Sequence, residues 1–261
     1  MLSHNQIKYI NSLKIKKFRQ QHGTFIVEGE KGISELLAGP LKTVSIFALN
    51  EWLVQNEHSL KSRDINYQLI TADELKKVSD LITPNKVLAI AEMPAATAPD
   101  PITFSGMALA LDGIRDPGNL GTMIRTADWF GIRQIICSTD SVDMYNPKVV
   151  QSTMGSFGRV NVTYTDLRAF IGALPDGFPV FGALLEGPDI TEKIFTKAGI
   201  IVIGSESHGI SKNLIPYVNE PIHIPRFSDS GADNQAESLN ASIANGIICF
   251  EICKQLFKNN F

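Results

Sequence analysis

Cysteine is scarce in this sequence, and no apolar run approaches the length that crosses a membrane. The 261 residues include three cysteines, which stand among apolar neighbours: Cys137, Cys249 and Cys253. A small, odd number of cysteines disfavours a disulfide framework or a zinc site and fits reduced, buried thiols. The N-terminal residues also lack the apolar core of a signal peptide, so we expect a cytoplasmic protein with no metal ion and no membrane partner.

A positive net charge and the common nucleotide-binding motifs are also missing. The formal net charge is −3, which argues against a protein that coats nucleic acid indiscriminately. The glycine-containing loop at 204–209 does not fit G-x-G-x-x-G, and it lacks the lysine of a phosphate-binding loop. Enzymes that use a nicotinamide cofactor or a nucleoside triphosphate are therefore disfavoured. With 44% hydrophobic residues, the chain can nevertheless build a sizeable core.

Residues 1–27 contain no acidic side chain but carry a run of basic ones. The basic residues that we single out are Lys8, Lys14, Lys16, Lys17 and Arg19. A stretch of one charge sign can contact RNA phosphates. The same spacing also suits the solvated face of a helix, and both interpretations stay open at this point.

The order of apolar runs predicts an α/β protein of two domains. Strands and helices alternate over residues 1–93, and a stretch rich in proline and small residues, 94–104, is typical of a linker. The alternation is more regular over residues 105–261, which predicts a mostly parallel sheet covered on both faces. The last helix is predicted over 239–257, with an apolar stripe formed by Leu239, Ile243, Ile247, Phe250, Cys253 and Phe257.

The first candidate functional motif lies where a helix is predicted to begin, and it contains Asn119, Gly121 and Arg125. We expect Asn119 to cap this helix. Arg125 lies one turn beyond Gly121, whose missing side chain lets another group approach closely. A guanidinium among small residues on an apolar helix needs an anionic or polar partner if it is buried. The alternative is a surface arginine in an ordinary ion pair.

The second motif is the loop from Gly204 to Gly209, which follows a strongly apolar strand. Its carboxylate, Glu206, is therefore expected at the carboxyl edge of the sheet, where open α/β folds bind ligands. The alternative is a glycine-rich turn with a solvated glutamate. His208 has no His or Asp spaced to share a metal with it, so we interpret it as a loop histidine.

The third motif begins with Ile224 and ends at the start of the last helix, with Ser238, Asn240 and Ser242. The first backbone N–H groups of a helix have no partner within the helix, so this end can hold an anionic or polar ligand. An ordinary helix cap is the alternative.

Together these motifs resemble those of the SpoU family, also called the TrmH family, of RNA ribose 2′-O-methyltransferases in the SPOUT class. The matching segments are N-L-G-T-M-I-R-T-A at 119–127, I-G-S-E-S-H-G at 203–209, I-P at 224–225 and S-L-N-A-S at 238–242. N-P-K-V-V-Q-S-T-M-G-S at 146–156 adds a block common in that family, and the resemblance covers residues 105–252. F-I-V-E-G at 25–29 is similar to the family's N-terminal substrate-binding domain, which has an L30e-like fold.

The resemblance implies a deep trefoil knot in the C-terminal domain, S-adenosyl-L-methionine bound in that knot, RNA as substrate and a homodimer. The implied cofactor pocket is lined by Leu184, Gly204, Glu206, Gly209, Ile224 and Leu239. The residues implied around the methyl transfer are Asn119, Arg125, Glu206, Ser238 and Asn240. Because a guanidinium keeps its proton, we expect Arg125 to stabilise the developing alkoxide and grip a phosphate rather than act as a simple base.

Residues 226–237 depart from the family pattern, in which a short link joins I-P to S-L-N. We expect this longer loop to place four charged residues near the cofactor: Arg226, Asp229, Asp233 and Glu237. Ribosomal RNA is favoured over tRNA as substrate, by analogy, because of the N-terminal domain. The alternatives are a tRNA 2′-O-methyltransferase and a non-catalytic RNA-binding or ribosome-assembly protein on the same fold. Methylation of a base nitrogen is disfavoured, because the motif at 119–125 is the ribose-specific one in the resemblance.

Overall fold

The structure, a computed structural model, describes residues 1–95, 97–227 and 238–257. The chain forms two compact units, of which unit 1 comprises Met1–Ala95 and Asp143–Arg159, and unit 2 comprises Ala96–Val142 and Val160–Phe261. The domain limits given above stay a prediction. In the described ranges, no helix combines the length and apolarity needed to cross a bilayer.

Helices and strands are numbered along the chain. The helices are α1 His4–Ser12, α2 Lys16–His22, α3 Glu30–Ala38, α4 Asn50–Ser62, α5 Ala72–Val78, α6 Pro117–Trp129, α7 Pro147–Ser152, α8 Leu167–Gly172 and α9 Ala241–Phe257. The strands are β1 Thr24–Glu28, β2 Thr43–Ala48, β3 Tyr67–Leu69, β4 Val87–Glu92, β5 Met107–Leu111, β6 Gln134–Ser138, β7 Asn161–Thr165, β8 Val180–Ala183, β9 Gly199–Ile203 and β10 Glu220–Ile222. Short 3₁₀ turns lie at Ser156–Gly158 and Ile215–Tyr217.

Unit 1 is built on a four-stranded sheet in the order β1-β4-β2-β3. β4 pairs antiparallel with both of its neighbours, and β2 pairs parallel with β3. One core cluster, drawn from α1, α5 and the sheet, includes Ile10, Leu13, Leu75 and Leu88. These side chains are 2% exposed or less, so the sheet and the two helices share one apolar core.

The segment 143–159 is part of unit 1, although in sequence it connects β6 to β7 of unit 2. The ring of Phe25 on β1 packs against Tyr145 and Phe157, with centroid distances of 4.7 Å and 5.8 Å. Arg19 on α2 forms an ion pair with Asp143 at the start of the segment. The core of unit 1 therefore needs residues from two separate parts of the chain.

Unit 2 is built on a six-stranded sheet in the order β10-β8-β9-β5-β6-β7, in which every strand pair is parallel. All five residues of β9 are buried, as expected for an apolar strand at the centre of a parallel sheet covered on both faces. The prediction of an α/β fold with a mostly parallel sheet is confirmed. The predicted trefoil knot stays a prediction, because the path from β10 to α9 includes residues outside the described ranges.

Helices α6 and α9 pack side by side in unit 2. Sγ of Cys253 on α9 lies 3.5 Å from the backbone oxygen of Phe130, just after α6. The predicted stripe does not face the core: Ile243, Ile247 and Phe250 are 54%, 37% and 56% exposed, and the opposite side of α9 is buried. Leu239, the first residue of that stripe, precedes the helix and is exposed, and the side chain of Phe257 lies outside the described part of the structure.

Candidate active site

A cleft opens at the carboxyl edge of the six-stranded sheet, between β5 and β9. From β5 the chain builds β6 and β7 on one side and then returns to build β8 and β9 on the other side. Such a reversal of strand order leaves a crevice where the loops after the two central strands diverge. The cleft has a volume of about 380 Å³, and its walls are the loop after β5 with the first turn of α6, Asp140 after β6, the loop after β9 and the first residue of α9.

Three of the predicted site residues meet at this cleft. Nδ2 of Asn119 donates to Oε1 of Glu206 at 2.9 Å, and Nδ2 of Asn240 lies 3.0 Å from Oδ1 of Asn119. Nδ2 of Asn240 also donates to Oε1 of Glu206, which in addition accepts the backbone N–H of Ala241 at 3.3 Å. We call Asn119, Glu206 and Asn240 the amide–carboxylate cluster. It joins one residue from each of the three sequence motifs.

Local capping explains why Asn240 stands at this point. Its Oδ1 accepts the backbone N–H groups of Ser242 and Ile243 at 2.9 Å and 3.3 Å, and the hydroxyl of Ser242 at 2.6 Å. These bonds satisfy orphan donors of the first turn of α9, as an N-cap residue does. The helix therefore begins at Ala241, two residues after its predicted start at 239, and Ser238 is an exposed residue ahead of the cap.

The sequence predicted that Asn119 caps α6, but the structure shows a different cap. The cap is Asp116, whose Oδ1 accepts the backbone N–H of Asn119 at 2.8 Å, and Pro117 occupies the first helical position. A proline there costs no hydrogen bond and favours a helix start. The side chain of Asn119 is thus released from capping and reaches Glu206 instead.

The loop that carries Glu206 is fixed by a close approach of two glycines. Ser205 and Gly209 exchange backbone hydrogen bonds of 3.1 Å and 2.8 Å, which close the loop on itself. A Cβ on Gly204 would lie 1.9 Å from the carbonyl carbon of Gly209, so no side chain fits there. Gly209 has φ +64, a left-handed conformation that glycine adopts without strain.

Asp112, directly after β5, anchors the far end of the same loop and was missed by the sequence analysis. Its Oδ2 accepts the backbone N–H and the hydroxyl of Ser211 at 2.7 Å and 2.5 Å. Asp112 is 7% exposed, whereas Ser211 is exposed, so both bonds are partly buried. A charged residue that directly follows a buried strand is a signal that could have identified it.

Arg115 and Asp140 form a second polar group in the cleft that the sequence analysis did not single out. Nη2 of Arg115 lies 2.9 Å from Oδ2 of Asp140. Oδ1 of Asp140 accepts the hydroxyl of Ser138 at 2.7 Å. The Ser138 hydroxyl, and to a smaller extent the Arg115 guanidinium, lower the pKa of Asp140, so this carboxylate is ionised.

Arg125 lies apart from the amide–carboxylate cluster. It follows Asn119 by six residues on α6, which turns its side chain to a different face of the helix. The side chain is exposed, and it forms no hydrogen bond or ion pair with any residue of the described ranges. The exposed Trp129, four residues later, shares its face of α6.

Five of the six predicted cofactor residues follow the carboxyl ends of neighbouring strands. Leu184 follows β8 and is partly buried, Gly204, Glu206 and Gly209 follow β9, and the half-buried Ile224 follows β10. Leu184 and Ile224 are not among the residues that line the cleft. Leu239 is 47% exposed beside the start of α9. The role of this set stays a prediction.

The extended loop at 226–237 is described only in part. Arg226 is exposed, whereas Asp229, Asp233 and Glu237 lie outside the described residues, as does their predicted position near the cofactor. Over the described residues, no three His, Cys, Asp or Glu side chains are grouped to hold a metal ion.

The basic residues of unit 1 differ in their access to solvent. Lys8, Lys16 and Lys17 are exposed, whereas Lys14 is partly buried and forms an ion pair with Asp80 at 3.0 Å. Arg19 is 2% exposed, and the structure corrects its assignment as a contact for RNA phosphates. Its guanidinium is occupied by Oδ2 of Asp143 and the backbone oxygen of Leu13.

Known RNA methyltransferases are similar to this protein in sequence or in structure over nearly the whole chain. The curated 23S rRNA (guanosine(2553)-2′-O)-methyltransferase RlmP of Bacillus subtilis is 28% identical over 252 residues, which cover 95% of each chain. A solved structure assigned to the TrmH family of RNA methyltransferases, from Porphyromonas gingivalis, is 34% identical and has a TM-score of 0.83, covering 97% of this chain and 98% of that one. An AdoMet-bound rRNA methyltransferase from Sinorhizobium meliloti is 26% identical, with a TM-score of 0.84 and coverage of 98% and 96%.

Two family profiles match the chain in succession. The profile of an MRM3-like substrate binding domain matches residues 4–89, which all lie in unit 1. The profile of the SpoU rRNA Methylase family matches residues 106–250, more than half of the chain. This stretch contains the amide–carboxylate cluster and the strands that carry it. The chain therefore belongs to the SpoU rRNA methylase family.

Proposed function

We propose that this protein is an S-adenosyl-L-methionine-dependent methyltransferase that transfers a methyl group to a ribose 2′-hydroxyl of RNA, most simply ribosomal RNA. Two of the relatives named above are rRNA methyltransferases, and one of these two holds AdoMet. The observation that carries the proposal is the amide–carboxylate cluster. Asn119, Glu206 and Asn240 come from three motifs far apart in sequence, yet their side chains bond to one another at the edge of one cleft.

The residues at the carboxyl edge fit the cofactor in chemical terms. Leu184, Ile224 and Leu239 are apolar side chains that the sheet and α9 leave partly exposed, which suits contact with an adenine ring. Gly204 and Gly209 hold the adjacent loop close, so its backbone can meet a ligand without interference from side chains. When bound, the cofactor supplies a methyl group that is already attached to a good leaving group.

The cluster has the features needed to position a ribose hydroxyl. The amides of Asn119 and Asn240 both donate to Oε1 of Glu206 and thereby fix the carboxylate. Within the described residues no group donates to Oε2, which leaves this oxygen as the acceptor for the hydroxyl proton. Holding that hydroxyl in line with the methyl group is the main contribution that the protein can make to this reaction.

We place Arg125 at the interface of a proposed homodimer. Trp129 on α6 is 84% exposed, and Ile243, Ile247 and Phe250 on the neighbouring α9 are between 37% and 56% exposed. An apolar surface on two packed helices is typical of a protein–protein interface. A second copy that covers this face would bury Arg125 at the border between the copies. There its fork could stabilise the developing alkoxide and bind a phosphate in the cleft of the partner subunit.

Mixed dimers test this assignment directly. Arg125→Ala and Glu206→Ala would be co-expressed with different affinity tags, and the heterodimer would be purified through both tags. If each site uses Arg125 of one copy and Glu206 of the other, the heterodimer contains one intact site and has about half of the wild-type activity. An inactive heterodimer, or a protein that sediments as a monomer, would refute the shared site.

The proposed activity is tested by titrating the protein calorimetrically with S-adenosyl-L-methionine and measuring tritium transfer from the labelled cofactor to unmodified 16S and 23S rRNA transcripts. We expect the protein to bind the cofactor and to incorporate tritium into the RNA. Because a 2′-O-methyl group blocks cleavage of the adjacent phosphodiester bond, the labelled position should resist alkaline hydrolysis. Binding of RNA without any transfer would support a non-catalytic ribosome-assembly protein, and transfer to tRNA transcripts alone would change the substrate. Arg125→Lys keeps the charge but loses the planar fork, so near-normal turnover would contradict the geometric role of Arg125.

An rRNA substrate and reduced thiols also support a cytoplasmic location.

A further inference from the structure

The cleft presents an unusual balance of charge for a site that receives RNA. Four carboxylates line it, from Asp112, Asp116, Asp140 and Glu206. Three of them are engaged by neighbours, since Asp112 holds Ser211, Asp116 caps α6 and Glu206 is bonded in the cluster. An RNA strand brings a negative charge with every nucleotide, so its entry requires a cation at the same surface.

Arg115 is the guanidinium that the cleft wall provides. Of the described residues that line the cleft, Arg115 is the lone arginine, and no lysine stands among them. Its side chain is 77% exposed, so the group faces solvent. One of its five donors is engaged, by Asp140, and no other described residue accepts from the rest, which can therefore bind the oxygens of a phosphate.

Asp140 holds Arg115 in place without binding it strongly. Its Oδ1 is fixed by the hydroxyl of Ser138, which also accepts the backbone N–H of Gly113 at 2.8 Å. The carboxylate is therefore a fixed point on the loop, whereas the ion pair itself lies in solvent, with 53% of the Asp140 side chain exposed. Exposed ion pairs contribute little to stability, so an incoming phosphate can replace this carboxylate at small cost.

We propose that Arg115 binds a backbone phosphate of the RNA strand next to the target ribose, and that Asp140 orients the guanidinium until the phosphate takes its place. Arg115 lies four residues before Asn119 on the same cleft wall, close to the amide–carboxylate cluster. The inference rests on the proposed function, because it names a contact of the same substrate. It makes Arg115 a substrate-binding residue distinct from Arg125.

Two substitutions with opposite expected effects test the proposal. Arg115→Ala removes the phosphate contact, so affinity for in vitro transcribed 16S and 23S rRNA should fall by about tenfold, with the slope of log affinity against log salt reduced by about 0.7–0.9. Asp140→Asn removes the competing carboxylate and should tighten RNA binding. Arg133→Ala is the matched control, because the exposed Arg133 forms an ion pair with Asp128 and precedes β6 at the opposite edge of the sheet. It should leave the affinity unchanged.

The outcomes separate this inference from the proposed function. Weaker binding by both Arg115→Ala and Asp140→Asn would mean a structural ion pair and would overturn the inference. So would equal affinities for Arg115→Ala and Arg133→Ala. A fall in calorimetric affinity for S-adenosyl-L-methionine, with RNA binding intact, would assign Arg115 to the carboxylate of the cofactor instead. If the wild-type protein transfers no methyl group to either transcript, the proposed function fails whatever the result for Arg115.

Discussion

Replacing Asp143 with asparagine should destabilise unit 1 far more than the loss of a surface ion pair. Arg19 is 2% exposed, and its Nη2 and Nε lie 2.5 Å and 3.1 Å from Oδ2 of Asp143. An amide cannot neutralise the guanidinium, so the variant leaves a buried charge uncompensated, at a cost of about 3–5 kcal/mol. The backbone oxygen of Leu13, 2.9 Å from Nη1, remains as an acceptor but carries only a partial charge.

Hydrogen–deuterium exchange of peptides from α2 and β1 measures this effect within unit 1, whereas a bulk unfolding curve would mix the two units. The slowest amides should exchange about a hundredfold faster or more, the factor that corresponds to about 3 kcal/mol. Lys42→Ala is the matched control, because Lys42 and Glu92 also pair within unit 1 but their side chains are 73% and 46% exposed. Its effect should be about 0.5 kcal/mol or less.

Equal exchange in Asp143→Asn and Lys42→Ala would refute the reasoning, because the buried pair would then contribute no more than a surface pair. The double variant Arg19→Met with Asp143→Leu provides a second measurement. Apolar side chains of similar volume should restore most of the stability. The same folded variant should bind rRNA as the wild type does, and weaker binding would return Arg19 to the set of residues that contact RNA.

Three further predictions follow from particular side chains. Gly204→Ala should weaken binding of S-adenosyl-L-methionine by about tenfold or more in calorimetry, because a Cβ there would meet backbone at 1.9 Å, whereas Gly106→Ala, which meets open space, should bind normally. Burial raises the pKa of Tyr145 to about 12, so the stability gained from its neutral phenol should be present below about pH 10 and be lost as the pH rises towards 12. Urea unfolding measured over this pH range should show a smaller loss of stability for Tyr145→Phe than for the wild type. Cys253 should react with iodoacetamide about tenfold faster or more than the fully buried Cys137, as measured by mass spectrometry, and equal rates would contradict the described burial.

The central sheet was predictable because its pattern is local. Strands such as β9 are apolar at every position, and each is followed by loops with glycine and polar residues, which together indicate a parallel sheet with a ligand site at its carboxyl edge. The meeting of Asn119, Glu206 and Asn240 was expected only through the family resemblance. Their spacing in sequence contains no information about distance, since 34 to 121 residues separate them.

Features that depend on distant partners escaped the sequence analysis. The chain turns at Leu13–Ile15 between α1 and α2, and no glycine or proline in the sequence indicates this turn. This turn places Arg19 inside unit 1, where its partner Asp143 is 124 residues away. A basic residue in a basic run was therefore assigned to the surface, because nothing nearby in sequence indicates the buried carboxylate.

The orientation of α9 also could not be derived from periodicity. Apolar residues occur on several faces of this helix, so a hydrophobic stripe alone does not indicate which face meets the core. The structure buries Ile248, Cys249 and Ile252 and leaves Ile247 and Phe250 partly exposed. The exposed face is the one that we assign to a second copy of the chain.

The contribution of residues 143–159 to unit 1 affects how this protein can be dissected. The chain passes between the units after Ala95, after Val142 and after Arg159, so no single cut separates them. A truncation that begins after Ala95 would expose the apolar surface of Tyr145 and Phe157, which in the intact chain cover Phe25. Such a fragment should aggregate for reasons unrelated to catalysis. A minimal methyltransferase would need this segment redesigned as a solvated loop, and an exchange of RNA-binding modules between relatives would have to transfer both pieces together.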